Sequence, residues 1–145
     1  MLFSLSRCII DKNNKEYYAL YWEGKTNNNN KIKEDGYIIK GEETSSFLEE
    51  KLKVLGLNNK EANEFIIYWL PKLEKNPYNY IRFQSKEEID NYMKLNIEPN
   101  PDTLIRILME YKPLDKKIKV KEQILKPVER EGYTIVEWGG TEIKE

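Results

Sequence analysis

Two short segments of this sequence place a glutamate beside a tryptophan and a glycine: Trp22-Glu23-Gly24 and Glu137-Trp138-Gly139. If strand ends bring these segments together, Glu23 and Glu137 form the acid and base pair of a glycoside hydrolase. Such a pair needs carboxylates about 5 to 10 Å apart. Trp22 and Trp138 are then candidate stacking surfaces for a ligand. Because a motif this short is rarely diagnostic, core tryptophans beside solvated carboxylates are the favoured interpretation.

Two of the arginines, Arg82 and Arg106, each interrupt an apolar run. A guanidinium that is buried there needs carboxylate or carbonyl partners. The pair could hold an anionic ligand group through bidentate hydrogen bonds. Since antiparallel sheets commonly leave one face in water, we expect these arginines to lie on that face or to pair internally.

The segment Lys112–Lys121 is rich in lysine, and its lysines alternate with Ile118 and Val120. This alternation predicts that the lysines share one face. Such a basic ribbon could contact phosphate or an acidic partner. Lysines on an exposed edge strand also prevent sheet-to-sheet aggregation, and we favour that interpretation here.

Composition excludes several classes of function. The 145 residues include no histidine and a single cysteine, Cys8, which removes triads with a histidine base and most transition-metal sites. Cys8 itself is expected to be a small apolar filler. The formal net charge of -1 argues against binding nucleic acid through bulk positive charge. No phosphate-binding glycine loop or calcium loop is visible, so we predict no metal and no cofactor.

The chain length fits a single domain over residues 1–145. No segment approaches the roughly 20 apolar residues that span a membrane. The opening Met1–Cys8 is too short and too interrupted for a signal peptide, so no export signal is expected in this chain. The run Asn27–Asn30 is typical of a surface loop.

Strands are predicted on both sides of that loop. The aromatic-rich Tyr17–Trp22 has the composition of a strand that is covered on both faces. The glycine-bounded segment Gly36–Gly41 follows as a short strand. We expect the two to pair across the asparagine loop.

A pair of helices follows, joined by a short link at Gly56-Leu57. In the first, Leu48, Leu52 and Leu55 share one face, Ser46 and Glu49 have capping-box spacing, and Gly56 ends the helix. The second begins at Asn58 with Glu61 at capping-box spacing, and Pro71 is expected to kink or break its last turn. Its apolar face comprises Ala62, Phe65, Ile66, Trp69, Leu70 and Leu73.

The remainder of the chain is predicted to be mainly strands, separated by prolines. The predicted strands are Tyr78–Phe83, Tyr92–Ile97, Thr103–Tyr111, Ile118–Val120 and Tyr133–Trp138. A helical turn is expected over Lys86–Asn91, since Ser85 and Glu88 have capping-box spacing. The fold class is therefore α+β, a mostly antiparallel sheet with a two-helix hairpin insertion packed on one face.

Several segments in order resemble one family. They are Tyr21-Trp22-Glu23-Gly24, Gly36–Thr44, Tyr68-Trp69-Leu70-Pro71, Lys112-Pro113-Leu114 and Val136–Glu142. The set, from about Ile10 to Ile143, is similar to a family of uncharacterised bacterial proteins that end in a Glu-Trp-Gly-Gly-Thr-Glu segment. The resemblance implies no activity, cofactor or catalytic residue. Members tend to have a longer β-rich N-terminus, often with an export signal, so residues 1–9 could be a truncated or replaced segment and the localisation stays open.

The leading hypothesis is a non-catalytic binding or interaction module of a bacterial surface or secreted protein, with a protein or glycan partner. Its candidate contact residues are Trp22, Glu23, Arg82, Arg106, Glu137 and Trp138. A glycan hydrolase that uses Glu23 and Glu137 is one alternative, and a cytosolic protein-binding regulator is another. An unpaired sheet edge would also allow a homodimer.

Overall fold

The computed structural model describes residues 2–24 and 31–144, with backbone alone for residues 2–8. The predicted loop Asn27–Asn30 lies outside the described residues, and so does the side chain of Cys8. The strands are β1 (Leu2–Ile10), β2 (Glu16–Tyr21), β3 (Asp35–Lys40), β4 (Tyr78–Phe83), β5 (Thr103–Leu114), β6 (Lys121–Glu122) and β7 (Thr134–Glu142). The helices are α1 (Thr44–Val54), α2 (Asn59–Leu73) and α3 (Lys86–Tyr92), with a short 3-10 helix at Gly41–Glu43. The predicted α+β class is confirmed.

The described strands form one seven-stranded sheet in the order β2-β1-β7-β5-β4-β3-β6. Four neighbouring pairs are antiparallel: β1 with β2, β1 with β7, β3 with β4, and β4 with β5. The other two, β5 with β7 and β3 with β6, are parallel. The sheet is therefore mixed, and its centre contains a long parallel pair.

The predicted pairing of Tyr17–Trp22 with Gly36–Gly41 is wrong. β2 pairs with β1 at one edge of the sheet, whereas β3 lies near the opposite edge between β4 and β6. The reason is β1, a strand that no pattern in the sequence predicts, which reaches β2 through a tight turn at 11–15. The prediction that this strand is covered on both faces is also wrong, since Tyr18 and Leu20 on one face and Tyr21 on the other are exposed.

The helix boundaries show which end signals the chain uses. At α2 the predicted capping box is confirmed, because the Asn58 side chain accepts from the Glu61 N–H at 3.0 Å and Glu61 accepts from the Asn58 N–H at 2.9 Å. At α1 the predicted box at Ser46 and Glu49 is wrong. The 3-10 helix runs directly into α1, so Ser46 already lies inside the helix and its hydroxyl donates to the Glu43 carbonyl.

Glycine ends α1 as predicted. Gly56 has a φ of +91°, and the N–H of Leu57 bonds back to the Leu52 carbonyl at 3.0 Å. This is the left-handed stop that glycine adopts without steric strain. A side chain would also clash here, since a Cβ on Gly56 would lie 2.9 Å from Ile105. α2 continues through Pro71 to Leu73.

The second half of the chain departs from prediction at two strands. β4 matches its predicted range, and the predicted capping box of Ser85 and Glu88 begins α3. That helix includes Tyr92 and is followed by irregular chain, so the predicted strand Tyr92–Ile97 is wrong. The predicted strand Ile118–Val120 is also wrong, because this segment crosses the edge of the sheet before the two-residue β6 begins.

The main core lies between one face of the sheet and the helices α1 and α2. Phe65 of α2 packs edge-on against Trp138 of β7, with ring centroids 5.3 Å apart. Trp69 of α2 packs in the same way against Tyr111 of β5 at 5.8 Å. The ring of Trp69 also lies so close to β7 that a Cβ on Gly140 would be 2.8 Å from it.

No helix in the described part of the chain combines the length and the apolar character that a membrane crossing needs.

The position of Phe65 generates the first prediction. Its side chain has no exposed surface and contacts both Trp69 and Trp138. We expect Phe65→Ala to lower the free energy of unfolding by about 3 to 5 kcal/mol, because a buried ring is replaced by a cavity. Urea denaturation followed by tryptophan fluorescence measures this change.

A matched control lies two residues along the same helix. Ile67 is 68% exposed, so Ile67→Ala is expected to change the free energy of unfolding by about 0.5 kcal/mol or less. Equal losses in the two variants would contradict the packing of α2 described above.

Candidate functional site

The two Trp-Glu segments lie in different environments. Glu137 and Trp138 of β7 are both buried, the first against Arg106 and the second in the core. Trp22 is half-buried just beyond β2, and Glu23 beside it is exposed. The carboxylate of Glu23 accepts a hydrogen bond from the hydroxyl of Tyr21, and this bond raises the pKa of Tyr21 to about 12.

The structure does not bring Glu23 and Glu137 together. β1 lies between β2 and β7, so two strand spacings separate the segments. The Glu137 side chain has no exposed surface and is ion-paired, whereas a catalytic carboxylate must reach its substrate. These positions do not favour the hydrolase hypothesis. Trp138 in the core likewise offers no exposed ring for stacking.

Arg82 lies at the centre of a charge network on the face of the sheet opposite α1 and α2. Its Nε donates to Asp35 at 2.9 Å, its Nη2 donates to Glu88 of α3 at 2.9 Å, and its Nη1 reaches Glu110 of β5 at 3.4 Å. Gln84 donates to the other oxygen of Glu110 at 2.7 Å. Burial by itself lowers the pKa of Arg82, but its hydrogen bonds to Glu88 and Asp35 outweigh burial and raise it.

Arg106 forms the second half of this network. Its Nη1 donates to Asp90 of α3 at 2.8 Å and to the carbonyl of Met93 at 2.6 Å, while its Nε donates to Glu137. Burial lowers the pKa of Arg106 and the hydrogen bond to Glu137 raises it, with a net rise. Among the described residues, Arg106 Nη2 and Glu137 Oε1 have no hydrogen-bond partner.

The network fastens α3 to the sheet. The side chains of Arg82 and Arg106 are 11% and 1% exposed, and both are occupied by internal carboxylates. An anionic ligand would have to displace these carboxylates from a partly dehydrated site. The contacts of the two arginines are therefore those of residues that hold the fold together, and they do not favour the binding of an anionic ligand.

A pocket of about 500 Å³ lies at the other edge of the sheet, beside β3. This volume is within the range of about 300 to 1,000 Å³ that ligand pockets usually have. One wall is β3 from Gly36 to Ile39, the second is α1 at Phe47, Glu50 and Lys51, and the third is the crossing segment Lys117–Val120. The connection from β5 to β6 therefore surrounds an open space next to the sheet edge.

The edge of β3 carries an unpaired backbone N–H and an unpaired backbone C=O at this pocket. The carbonyls of Glu34 and Gly36 accept hydrogen bonds from Lys121 and Gln123, so alternate residues of β3 point toward β6. By the same alternation, the N–H and C=O of Ile38 point to this edge. β6 ends at Glu122, and no described residue forms a hydrogen bond with the outward N–H or C=O of Ile38.

The helix side of the pocket combines aromatic rings with a paired charge. Tyr37 and Phe47 pack edge-on with ring centroids 5.0 Å apart, and Lys51 Nζ lies 5.2 Å from the Tyr37 ring. Lys51 also forms an ion pair with Glu50 at 2.8 Å. Burial, together with Glu122 and other nearby carboxylates, raises the pKa of Tyr37 to about 12, so its hydroxyl stays a donor to the Gln123 carbonyl.

The crossing segment presents two kinds of side chain. Ile118 and Val120 are half-buried and line the pocket, whereas Lys117 and Lys119 are exposed at its mouth. Among the described residues, neither of these lysines forms an ion pair. The sequence alternation predicted this division of the side chains, but it gave no signal for Ile38 and Phe47 as parts of the same site.

The comparisons with known proteins add no relative. Neither a family model, nor a curated protein, nor a solved structure matches the chain. The resemblance to a bacterial family noted above stays a prediction. Among the side chains that the structure describes, those of residues 9–24 and 31–144, no group of three acidic residues is placed to hold a metal ion.

The ion pair of Arg106 and Glu137 generates a stability prediction. We expect Arg106→Met to lower the free energy of unfolding by about 3 to 5 kcal/mol, because it leaves a buried carboxylate without its cation. The double variant Arg106→Met/Glu137→Leu buries no charge at this point and should regain part of that loss. A double variant as unstable as the sum of the single variants in urea denaturation would show that the two residues are not coupled.

The environment of Asp90 generates a pH prediction. Hydrogen bonds from Lys86 and then from Arg106 lower its pKa in the folded protein. A lowered pKa in the folded state stabilises the protein above the unfolded pKa of about 3.9, and this contribution is lost as the pH falls through the folded value. We therefore expect Asp90→Asn to be destabilised at pH 6 but to lose less stability than the native chain below about pH 4. Parallel curves of stability against pH would contradict this assignment.

Proposed function

We propose that this protein is a non-catalytic interaction module that binds an extended, acidic segment of a partner protein in the pocket beside β3. The observation that carries the proposal is the unpaired backbone N–H and C=O of Ile38, which face a pocket lined by apolar side chains and by more lysines than carboxylates. Addition of a strand to a sheet edge is a recurrent way to bind a peptide.

The first support is the geometry of the sheet edge. Ile38 presents a donor and an acceptor on one residue, which is the pattern that another extended residue satisfies. A similar pair of backbone groups is already satisfied within the chain. The side-chain amide of Gln123 accepts from the N–H of Phe83 at 3.0 Å and donates to the C=O of Phe83 at 2.7 Å. An extended peptide would do the same for Ile38.

The second support is the lining of the pocket. Phe47, Ile118 and Val120 present apolar surface on two walls, which suits one or two apolar side chains of the peptide. Successive side chains of a bound strand point in opposite directions, so an apolar residue can enter the pocket while its neighbours stay outside. We therefore expect the pocket to select peptides in which apolar and polar residues alternate.

The third support is the charge at the mouth. Lys117 and Lys119 are exposed there, and the other charged lining residues are the Lys51–Glu50 ion pair and Glu122, so cations outnumber carboxylates. The two exposed lysines would meet aspartate or glutamate residues on the outward side of the bound strand. Exposed charges of this kind contribute more to the rate of association and to selectivity than to affinity. The same chemistry serves a surface-exposed module and a cytosolic regulator.

Selection from a phage-displayed library of random eight-residue peptides, followed by synthesis of the consensus peptide, tests the proposal. We expect the enriched sequences to alternate apolar residues with aspartate or glutamate. Titration of the ¹⁵N-labelled protein with the consensus peptide should shift the amide signal of Ile38. A library with no enrichment, or a consensus peptide that leaves this signal unchanged, would contradict the proposal.

Two variants and a control localise the binding. Ile118→Asp places a charge in the apolar wall, and Lys117→Glu/Lys119→Glu reverses the charge at the mouth, so each should weaken the consensus peptide at least tenfold by calorimetry. Ile124→Asp is the matched control, because Ile124 is 87% exposed and outside the pocket. Equal affinity in all three variants would place the peptide elsewhere.

A further inference from the structure

The opposite edge of the sheet is formed by β2, and its protection is limited to Glu16 at the first position and an irregularity in its pairing with β1. Among the described residues, β1 is the sole strand paired with β2. From Glu16 to Tyr21 the strand has neither lysine nor proline, which commonly block pairing at sheet edges. Tyr18, Leu20 and Tyr21 are 53%, 50% and 60% exposed. An edge strand of this length whose exposed side chains are mainly aromatic and apolar is a template for pairing with another chain.

The charges that flank β2 are arranged symmetrically about its centre. Lys15 lies four residues before Ala19 and Glu23 lies four residues after it, and both side chains are exposed. If two copies of β2 pair in antiparallel fashion about Ala19, Lys15 of each copy lies opposite Glu23 of the other. Because the dimer has two-fold symmetry, this pair of opposite charges occurs twice, once at each end of the paired strands.

This register also suits the residues between the charges. Tyr17 lies opposite Tyr21, Tyr18 lies opposite Leu20 and Ala19 lies opposite Ala19, so these three kinds of pair are aromatic or apolar, as stable antiparallel pairs prefer. Glu16, at the start of the strand, lies opposite Trp22. A shift by one residue in one direction would place Glu16 opposite Glu23, where like charges repel. A shift in the other direction would place Lys15 opposite Trp22 and lose both ion pairs.

We infer that the protein forms a two-fold homodimer in which β2 pairs with β2 of a second copy, centred on Ala19, with Lys15 of each copy opposite Glu23 of the other. The inference is independent of the pocket, which lies at the far edge of the sheet. We assign a second copy of the chain to this edge because the charges at the two ends of β2 are opposite in sign. When a second β2 runs antiparallel to the first, each positive end lies beside a negative end.

Charge reversal tests both the dimer and its register. Sedimentation velocity of the native chain should show a monomer–dimer equilibrium between 1 and about 200 μM. Lys15→Glu and Glu23→Lys should each weaken the homodimer at least tenfold, because each reversal creates two like-charge pairs. An equimolar mixture of the two variants should form a heterodimer, since every pair in it is again of opposite charge.

Controls separate this result from nonspecific effects. Lys53→Glu reverses an exposed charge on α1, away from β2, and should leave the dimer as strong as in the native chain. Circular dichroism verifies that each variant is folded, which is expected because Lys15 and Glu23 are exposed. A native chain that stays monomeric at 200 μM, a dimer that both reversals leave intact, or a mixture that forms no heterodimer would overturn the inference.

Discussion

The parallel pairing of β5 with β7 is the constraint on which the rest of the structure depends. It aligns Thr103–Tyr111 with Thr134–Glu142 at the centre of the sheet, where both faces must be covered. Alternate residues on one face pack against α1 and α2. On the other face the alignment puts Arg106 beside Glu137, where either charge alone would be costly to bury and the two together are tolerable. α3 then completes the neutralisation through Asp90, so the position of that helix follows from the charges in the sheet.

The elements that sequence predicts well are those whose signals are local. The capping boxes at Asn58 and Ser85 and the glycine stop at Gly56 each involve residues within one helical turn, and all three are present in the structure. Strand partners are not local. The alternation within Tyr17–Trp22 cannot tell which strand lies beside it, and no pattern in Leu2–Ile10 indicated that β1 would separate β2 from β7. The alternation of side chains along each strand therefore could not predict the order of the strands in the sheet.

The pocket could be predicted only in part for the same reason. The alternation of lysine with Ile118 and Val120 determined which side chains face water, whatever the segment packs against. What they face on the inner side depends on the path from the end of β5 to β6, which passes the edge of β3 and meets α1 at Phe47. Arg82 and Arg106 illustrate the converse. Their positions in apolar strands correctly predicted that they need charged or carbonyl partners. The sequence did not indicate which residues these partners are, because Glu88 and Asp90 belong to α3, which approaches the arginines only in the folded protein.

The two edges of the sheet differ in a way that makes the two proposals compatible. β6 already pairs with Asp35 and Gly36, so the free part of the β3 edge is short. Lysines flank it, and it therefore accepts a small segment of chain and resists pairing with a whole sheet. The β2 edge is free along all six residues and is mainly aromatic and apolar after Glu16, so it suits pairing along its full length. A dimer through β2 would leave both pockets at the outer ends of one continuous sheet. Thirteen strand spacings of about 4.8 Å then put the two pockets about 60 Å apart. A partner with two acidic segments could then engage both pockets at once, and its affinity would exceed that of either site alone.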